Sequence, residues 1–174
     1  MRKTMLIAVM TLLGAPIQGS LAATPLGEIN IELYGNIVDF TCVAEGSDSN
    51  KSVTLGTWPT KQLSTTGSRT QAMPFTLKLT GCPPGAASIT FTGKANTHDP
   101  QLLALDDGSQ ASNVAVEIRD QDKTRLPLQQ ASQEVVVDAQ GNAVLAFYAN
   151  YIATANNPQP GRADADATFI INYN

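Results

Sequence analysis

The chain has 174 residues, of which 43% are hydrophobic and 15% are charged, and its formal net charge is −4. This apolar fraction argues against a wholly disordered chain and is enough for the core of one ordinary domain. The acidic balance, with no basic run beyond the first three residues, argues against nucleic acid as a partner.

The first 22 residues have the pattern of a secretory signal peptide. Residues 2–3 supply its positive charge, and residues 5–13 supply an apolar run that is too short to span a bilayer. Ser20 and Ala22 supply the small residues before the cleavage site. We expect cleavage after Ala22, with Ala23 as an alternative, which leaves nine Lys and Arg against fifteen Asp and Glu, a net charge near −6. A retained membrane anchor is the competing interpretation.

Residues 27–37 lie near the start of the mature chain, and residues 28–33 within them alternate strictly between polar and apolar side chains. This alternation predicts a half-buried β-strand whose apolar side carries Ile29, Ile31 and Leu33. A strand at a chain terminus frays unless it is paired. It is therefore either the first strand of its own domain or a strand that pairs with another molecule.

Beyond Cys42 the sequence predicts several short strands and no convincing helix. The strand candidates, each recognised by alternating apolar residues, are 52–55, 73–79, 88–92, 114–118, 135–137, 143–152 and 167–173. Turn signals separate them, including Asp107-Gly108, Gly141-Asn142 and residues 157–161. A helix across residues 96–105 is the alternative to a turn followed by a short strand, which His98-Asp99-Pro100 favours. This spacing predicts a β-sandwich the size of one immunoglobulin-like domain.

Two cysteines, Cys42 and Cys82, in an exported chain predict one disulfide. The chain has no C-x-x-C motif, and two cysteines with the single histidine, His98, do not make a zinc site. We expect no metal and no cofactor.

Several carboxylates are candidates for a metal site. Asp164 and Asp166 lie on one face of a strand, but two alternating aspartates supply too few oxygens for calcium. They are better explained as a solvated face. Residues 106–108 are better explained as a turn.

His98 beside Asp99 could be half of a catalytic pair, but no nucleophile or oxyanion site is recognisable in the sequence. We therefore expect no enzymatic activity and no small-molecule substrate. Trp58 and Tyr34 could form a sugar-binding platform, although a single Trp before a proline is more often a packed loop residue.

The last predicted strand, residues 167–173, is followed only by Asn174. A constant-type immunoglobulin sandwich has seven strands, and no sequence remains here for a strand after this one. An unpaired edge strand presents backbone donors and acceptors that invite another chain. The N-terminal strand of a second subunit could fill that place by β-strand addition, the mode used in pilin donor-strand complementation.

The mature chain resembles the pilin subunits of fimbriae assembled by the chaperone–usher pathway, and most of all the minor subunits of type-1-like fimbriae. The resemblance is carried by the N-terminal strand with Gly35 seven residues before the first cysteine, by FTGKANTHDPQLLALDD (91–107) and by LAFYANYIAT (145–154). The most specific stretch is PGRADADATFIINYN (160–174). It has a glycine fourteenth from the end, alternating apolar residues and a penultimate tyrosine.

The resemblance implies an all-β fold, an incomplete immunoglobulin-like β-sandwich that lacks its last strand and is completed by donor-strand exchange. It implies a signal peptide (1–22), a donor-strand extension (23–37) and a pilin domain (38–174). The implied inward residues of the donor strand are Ile29, Ile31, Leu33, Gly35 and Ile37. The implied chaperone-binding and acceptor-groove residues are Gly161, Phe169, Ile171 and Tyr173, and Cys42 and Cys82 correspond to the family disulfide.

The function implied by the resemblance is that of a structural subunit, and of a minor or adaptor one, in an adhesive fimbria on the bacterial surface. Its implied partners are neighbouring fimbrial subunits, a periplasmic chaperone and an outer-membrane usher. A major rod subunit and a secreted carbohydrate-binding β-sandwich are the alternatives. A small secreted enzyme is a weaker alternative.

Overall fold

A computed structural model describes residues 42–174. This part of the chain forms seven β-strands and one short 3-10 helix, Thr60–Leu63. The strands are β1 (Val43–Ala44), β2 (Met73–Thr80), β3 (Ala86–Gly93), β4 (Val114–Arg119), β5 (Val135–Val136), β6 (Ala143–Ala153) and β7 (Ala167–Tyr173). No helix within residues 42–174 is long and apolar enough to cross a membrane. The predicted strand at 27–37 lies outside the described residues.

The strands form two antiparallel sheets. One has four strands in the order β1-β2-β6-β4, and the other has three in the order β5-β3-β7. In the first sheet Phe75 of β2 lies opposite Phe147 of β6. In the second, Phe91 of β3 lies opposite Phe169 of β7. Neighbouring strands are mostly distant in sequence, so the sheets depend on long-range pairing.

Apolar side chains from the two sheets meet in one core. The Phe91 and Phe147 rings lie 5.0 Å apart, edge to face, and Phe75 lies 5.6 Å from Phe147 and 6.2 Å from Phe91. Because Phe91 belongs to one sheet and Phe75 and Phe147 to the other, these rings join the two layers. The most deeply buried residues of this core include Leu77, Leu79, Ile89, Leu145 and Phe147.

A disulfide joins Cys42 to Cys82. Cys42 immediately precedes β1, and Cys82 follows the end of β2 by two positions, so the bond links the edge strand β1 to its neighbour β2 where the two strands pair. The two cysteines are separated by 40 positions in the sequence, and the bond therefore closes a long loop.

The strand predictions from residue 73 onward are confirmed, with ends that shift by at most two residues. The predicted strand at 52–55 is wrong, because residues 51–59 are irregular. There the Trp58 indole N–H donates to the Leu55 carbonyl at 2.6 Å, and Gly56 has a φ of +83°. A tight turn thus uses a backbone oxygen that a strand would need.

The choice of a turn over a helix at 96–105 is confirmed. The Asn96 side-chain oxygen accepts the backbone N–H groups of His98 and Asp99 at 2.9 and 3.2 Å. The chain then returns as a short bridged segment, in which Leu103 pairs with Ala95 and Val116. His98-Asp99-Pro100 predicts a turn here, and the structure shows that the Asn96 side chain stabilises it as an Asx turn.

Candidate functional site

β7 is the edge strand of the three-stranded sheet. It pairs with β3 along one side, from Ala167 opposite Gly93 to Tyr173 opposite Ala87. Along its other side it has no strand partner among residues 42–174. A free edge of this kind presents backbone donors and acceptors to an added strand, so this edge is the candidate functional site.

The side chains of β7 alternate between the core and the outer surface. Phe169 and Ile171 are partly buried and pack against the core, whereas Ile170 points outward and is 51% exposed. Tyr173 follows the inward alternation but is also 51% exposed. The predicted common face is therefore only partly covered at its C-terminal end.

The opposite sheet contributes apolar residues to the same region. Phe75 is partly buried, contacts Phe91, and so connects β2 to the residue that lies opposite Phe169. Beside Phe75, a cavity of about 360 Å³ opens between residues 51–54 and residues 73–76. Phe75 and Phe91 thus link β2 of one sheet to the strand that pairs with β7 in the other.

The end of the chain is held to β3. The backbone N–H of Asn174 donates to the Ala86 carbonyl at 3.0 Å, and that of Ala86 donates to the Asn174 carbonyl at 3.1 Å. Gly85 has a φ of +148°, and a Cβ there would lie 2.1 Å from the Asn174 carbonyl oxygen. Only glycine permits this close approach, which positions the last residues of β7.

Gly161 occupies a different place from the other three predicted groove residues. It lies in the segment leading into β7, where a Cβ would come within 2.7 Å of the Ala111 nitrogen, and its φ is +155°. The carbonyl of the next residue, Arg162, accepts the N–H groups of Gln110 and Ala111. Gly161 therefore allows close contact with residues 110–111 and does not lie on β7 itself.

The predicted donor-strand residues, Ile29, Ile31, Leu33, Gly35 and Ile37, lie outside the described residues, and so does Tyr34. The structure does not bring His98 and Asp99 together as a catalytic pair. The Asp99 carboxylate instead accepts hydrogen bonds from Arg125 at 2.8 Å and from the Gln101 N–H at 3.1 Å.

The carboxylates that could have formed a metal site have other partners. Asp164 forms a surface ion pair with Arg162 at 3.2 Å. Within residues 42–174 no group of three or more His, Cys, Asp or Glu is placed to hold a metal ion. Trp58 is a partly buried loop residue whose N–H is bound to Leu55.

The structure shows a buried carboxylate, Glu117, that is not predicted from the sequence. Its side chain is fully buried and accepts five hydrogen bonds, from Arg69, Arg119, Arg125 and Asn150. Burial raises the pKa of Glu117, but the hydrogen bonds of the three arginines outweigh burial and hold the pKa at about 2. Alternation alone marks Glu117 as a polar residue on an outward face. Arg119 and Arg125 are near it in the sequence, but Arg69 is 48 positions away, and alternation does not show that the three arginines converge on one carboxylate.

Comparison with known proteins identifies relatives along the whole chain. A family model described as "Fimbrial protein" matches residues 31–174. The fimbrial-like protein FimF of Salmonella typhimurium is 59% identical over 168 residues, which cover 97% of this chain and 96% of FimF. The fimbrial subunit type 1 of Salmonella typhimurium is 34% identical, covering 86% of each chain.

The fold has solved counterparts as well. A subunit in the structure of a chaperone–usher pilus superposes with a TM-score of 0.63 at 18% identity, covering 88% of this chain and 99% of that one. This likeness confirms the fold class predicted from the sequence, an all-β, incomplete immunoglobulin-like sandwich.

Proposed function

The chain belongs to the fimbrial protein family, and we propose that it is a minor, adaptor-type subunit of an adhesive fimbria that polymerises by donor-strand complementation. As a fimbrial subunit, it is exported through the periplasm to the fimbria on the cell surface. The observation that carries the proposal is the free edge of β7, beside which Phe169 and Ile171 are incompletely buried.

The proposed occupant of this edge is the N-terminal strand of a neighbouring subunit. Because each subunit would both accept and donate a strand, residues 27–37 of this chain would enter the groove of the next subunit. The residues facing inward would be Ile29, Ile31, Leu33, Gly35 and Ile37. The corresponding division of the chain is a signal peptide (1–22), a donor extension (23–37) and a pilin domain (38–174). Strand addition of this kind combines main-chain hydrogen bonds with burial of alternate side chains.

The same edge needs a temporary partner before assembly. Each large apolar residue left uncovered forfeits part of the roughly 1.5–3 kcal/mol that full burial supplies. Because a whole domain is stable by only about 5–15 kcal/mol, the free subunit would be marginal. A periplasmic chaperone that lends a strand along β7, near Phe169, Ile171 and Tyr173, meets this need, and an outer-membrane usher would exchange it for the neighbour's strand. Gly161 would contribute indirectly, by allowing the segment that leads into β7 to pack closely against residues 110–111.

The minor position is supported by the pattern of identities. The chain is 59% identical to FimF but only 34% identical to the fimbrial subunit type 1 of the same species. A major rod subunit should resemble the fimbrial subunit type 1 more than it resembles FimF. Quantitative mass spectrometry of purified fimbriae tests this point: we expect far fewer copies of this chain than of the most abundant subunit, and equal or greater abundance would contradict the minor role.

Strand acceptance can be tested with two neighbouring residues of β7. Ile171→Asp places a carboxylate on the inward side, whereas the matched control Ile170→Asp changes a residue that is already half exposed. We expect the wild type and the control, released from the chaperone, to form SDS-resistant complexes with a peptide of residues 27–37. Ile171→Asp should lose them, because burying an unpaired carboxylate costs several kcal/mol or forces its protonation.

Donor function can be broken separately. Ile31→Asp should leave chaperone binding and peptide acceptance intact but abolish insertion into the next subunit. Tyr173→Asp should show the reverse behaviour. Loss of the same step in both variants would assign residues 27–37 to the subunit's own domain and contradict the proposal.

A further inference from the structure

A second cavity, of about 340 Å³, opens at the end of the domain where the described chain begins. It lies between the turn that follows β2 and the turn that joins β5 to β6, and its walls are residues 81, 82 and 84 and residues 137–141. We call it the basal cavity. Its one charged residue, Asp138, uses its carboxylate to accept the backbone N–H groups of Gln140 and Asn142 in its own turn. Most of the other wall residues are apolar or glycine, so the basal cavity suits an apolar side chain.

Backbone hydrogen bonds hold the walls of the basal cavity in place. The Cys82 N–H donates to the Gly141 carbonyl at 2.9 Å, and the Val137 N–H donates to the Gly85 carbonyl at 3.0 Å. Cys82 and Val137 are both buried and belong to the main core. The basal cavity is therefore a preformed opening onto one end of that core.

The segment just before the described residues brings a large apolar side chain to this end of the domain. Residues 38–41 read Val-Asp-Phe-Thr, and the residue that follows them, Cys42, is bonded to Cys82 in the cavity wall. Two residues of extended chain span at most about 7 Å. Phe40 is thus tethered close to the basal cavity by the disulfide.

Register and alternation indicate the same place for this side chain. β1 pairs with β2 in a register that, continued by three positions, brings residue 40 opposite Pro83. Cys42 and Ala44 pack against the core, whereas Val43 between them is 50% exposed. Because side chains alternate along an extended chain, Phe40 belongs to the inward side.

We propose that Phe40 fills the basal cavity and anchors the root of the donor segment to the pilin domain. A phenyl ring there covers the open end of the core with apolar surface. The effect on the fibre rests on the proposed function, because it concerns the strand given to the next subunit. Only Val38 and Asp39 separate Phe40 from Ile37, so the last inward residue of the donor strand stays within about 11 Å of the anchor. The next subunit is therefore held close to this end of the domain.

Photo-cross-linking tests the anchor in the mature chain, both in the periplasm and in intact fimbriae. Phe40→p-azidophenylalanine keeps the ring, and on irradiation the azide loses N₂ to give a nitrene that inserts into a neighbouring C–H or N–H bond. We expect mass spectrometry to find residue 40 joined to residues 81–84 or 137–141 of the same chain. The same group at Thr41, on the opposite side of the chain, should not give these links. At Phe75 it should link to β3, because the Phe75 and Phe91 rings lie 6.2 Å apart.

A second measurement does not depend on the photoreaction. Phe40→Leu keeps an apolar side chain but removes the ring, so the methyl resonances of Val137 should shift in the NMR spectrum. The control Thr41→Val should leave them in place. Unchanged Val137 resonances in Phe40→Leu would overturn the anchor.

The outcomes distinguish the anchor from the proposed function. Links from residue 40 only to another subunit, or none while position 75 reacts as expected, would overturn the anchor and leave strand exchange unaffected. Links within the chain, in a protein that never enters fimbriae, would support the anchor and contradict the proposed function.

Discussion

Replacing Glu117 by Gln should destabilise the pilin domain by about 3 kcal/mol at neutral pH. The carboxylate is fully buried among three arginines, and its pKa is about 2, against an ordinary value of 4.5. At about 1.4 kcal/mol per pH unit, that difference corresponds to about 3 kcal/mol. Gln keeps the shape of the side chain but not its charge, and breaking a buried ion pair by removing one partner typically costs about 3–5 kcal/mol.

The effect should depend on pH in one direction. The pKa of Glu117 is lower in the folded state than in the unfolded state, so its stabilisation is complete above about pH 4.5 and is lost as the pH falls towards 2. The pKa values of Asp48 and Asp138 are also lowered, Asp48 first by its hydrogen bond from Lys51 and Asp138 first by that from the Asn142 N–H. The wild type will therefore weaken in acid for several reasons. Only the difference between wild type and Glu117→Gln isolates Glu117.

Urea unfolding at a series of pH values measures this difference. The transition can be followed by circular dichroism and by fluorescence of Trp58, the single tryptophan, with the donor peptide at the same concentration in every sample. Glu45→Gln is the matched control, because Glu45 forms only an exposed pair with Lys78 at 3.6 Å and should contribute less than about 1 kcal/mol. A Glu117→Gln effect that is constant from pH 2 to 6, or as small as the control's, would refute the charge-based account.

Three further substitutions test the core, the disulfide and the chain end. Phe147→Ala should lower the free energy of unfolding in urea by about 3–5 kcal/mol, because the ring is 1% exposed and lies between Phe75 and Phe91. The control Val144→Ala should change it little, because Val144, on the same strand, is 53% exposed. A double Cys42→Ser, Cys82→Ser variant should lose about 3–4 kcal/mol by the chain-entropy model for a separation of 40, and reductant should destabilise the wild type but not this variant. Gly85→Ala should lower the melting temperature more than Gly67→Ala. Both glycines have a positive φ, but only at Gly85 would a Cβ collide with Asn174. Equal losses in the two variants would show that backbone strain, and not this contact, causes the effect.

Local sequence pattern was sufficient for most of the strands. The alternation in residues 73–79, 143–152 and 167–173 predicts β2, β6 and β7 because a strand turns successive side chains to opposite faces, whatever it pairs with. It failed at 52–55, where four residues favour a strand but a turn at Gly56 and the Trp58–Leu55 hydrogen bond override them. Propensity over so short a run is weaker than one specific tertiary arrangement.

The sequence by itself also determined the inward residues of β7 and, through its resemblance to pilins, the kind of assembly to expect. The unpaired edge of the last strand was also predicted from the sequence, but only the tertiary structure decided that β7 pairs with β3 and that Gly161 packs against residues 110–111. The same holds for Glu117, which is bound by Arg119 of its own strand, by Arg125 after the following turn and by Arg69 from a distant segment. Alternation assigns each side chain to a face of its strand, but what covers that face depends on pairing between segments far apart in the sequence, and those contacts leave no periodic signal.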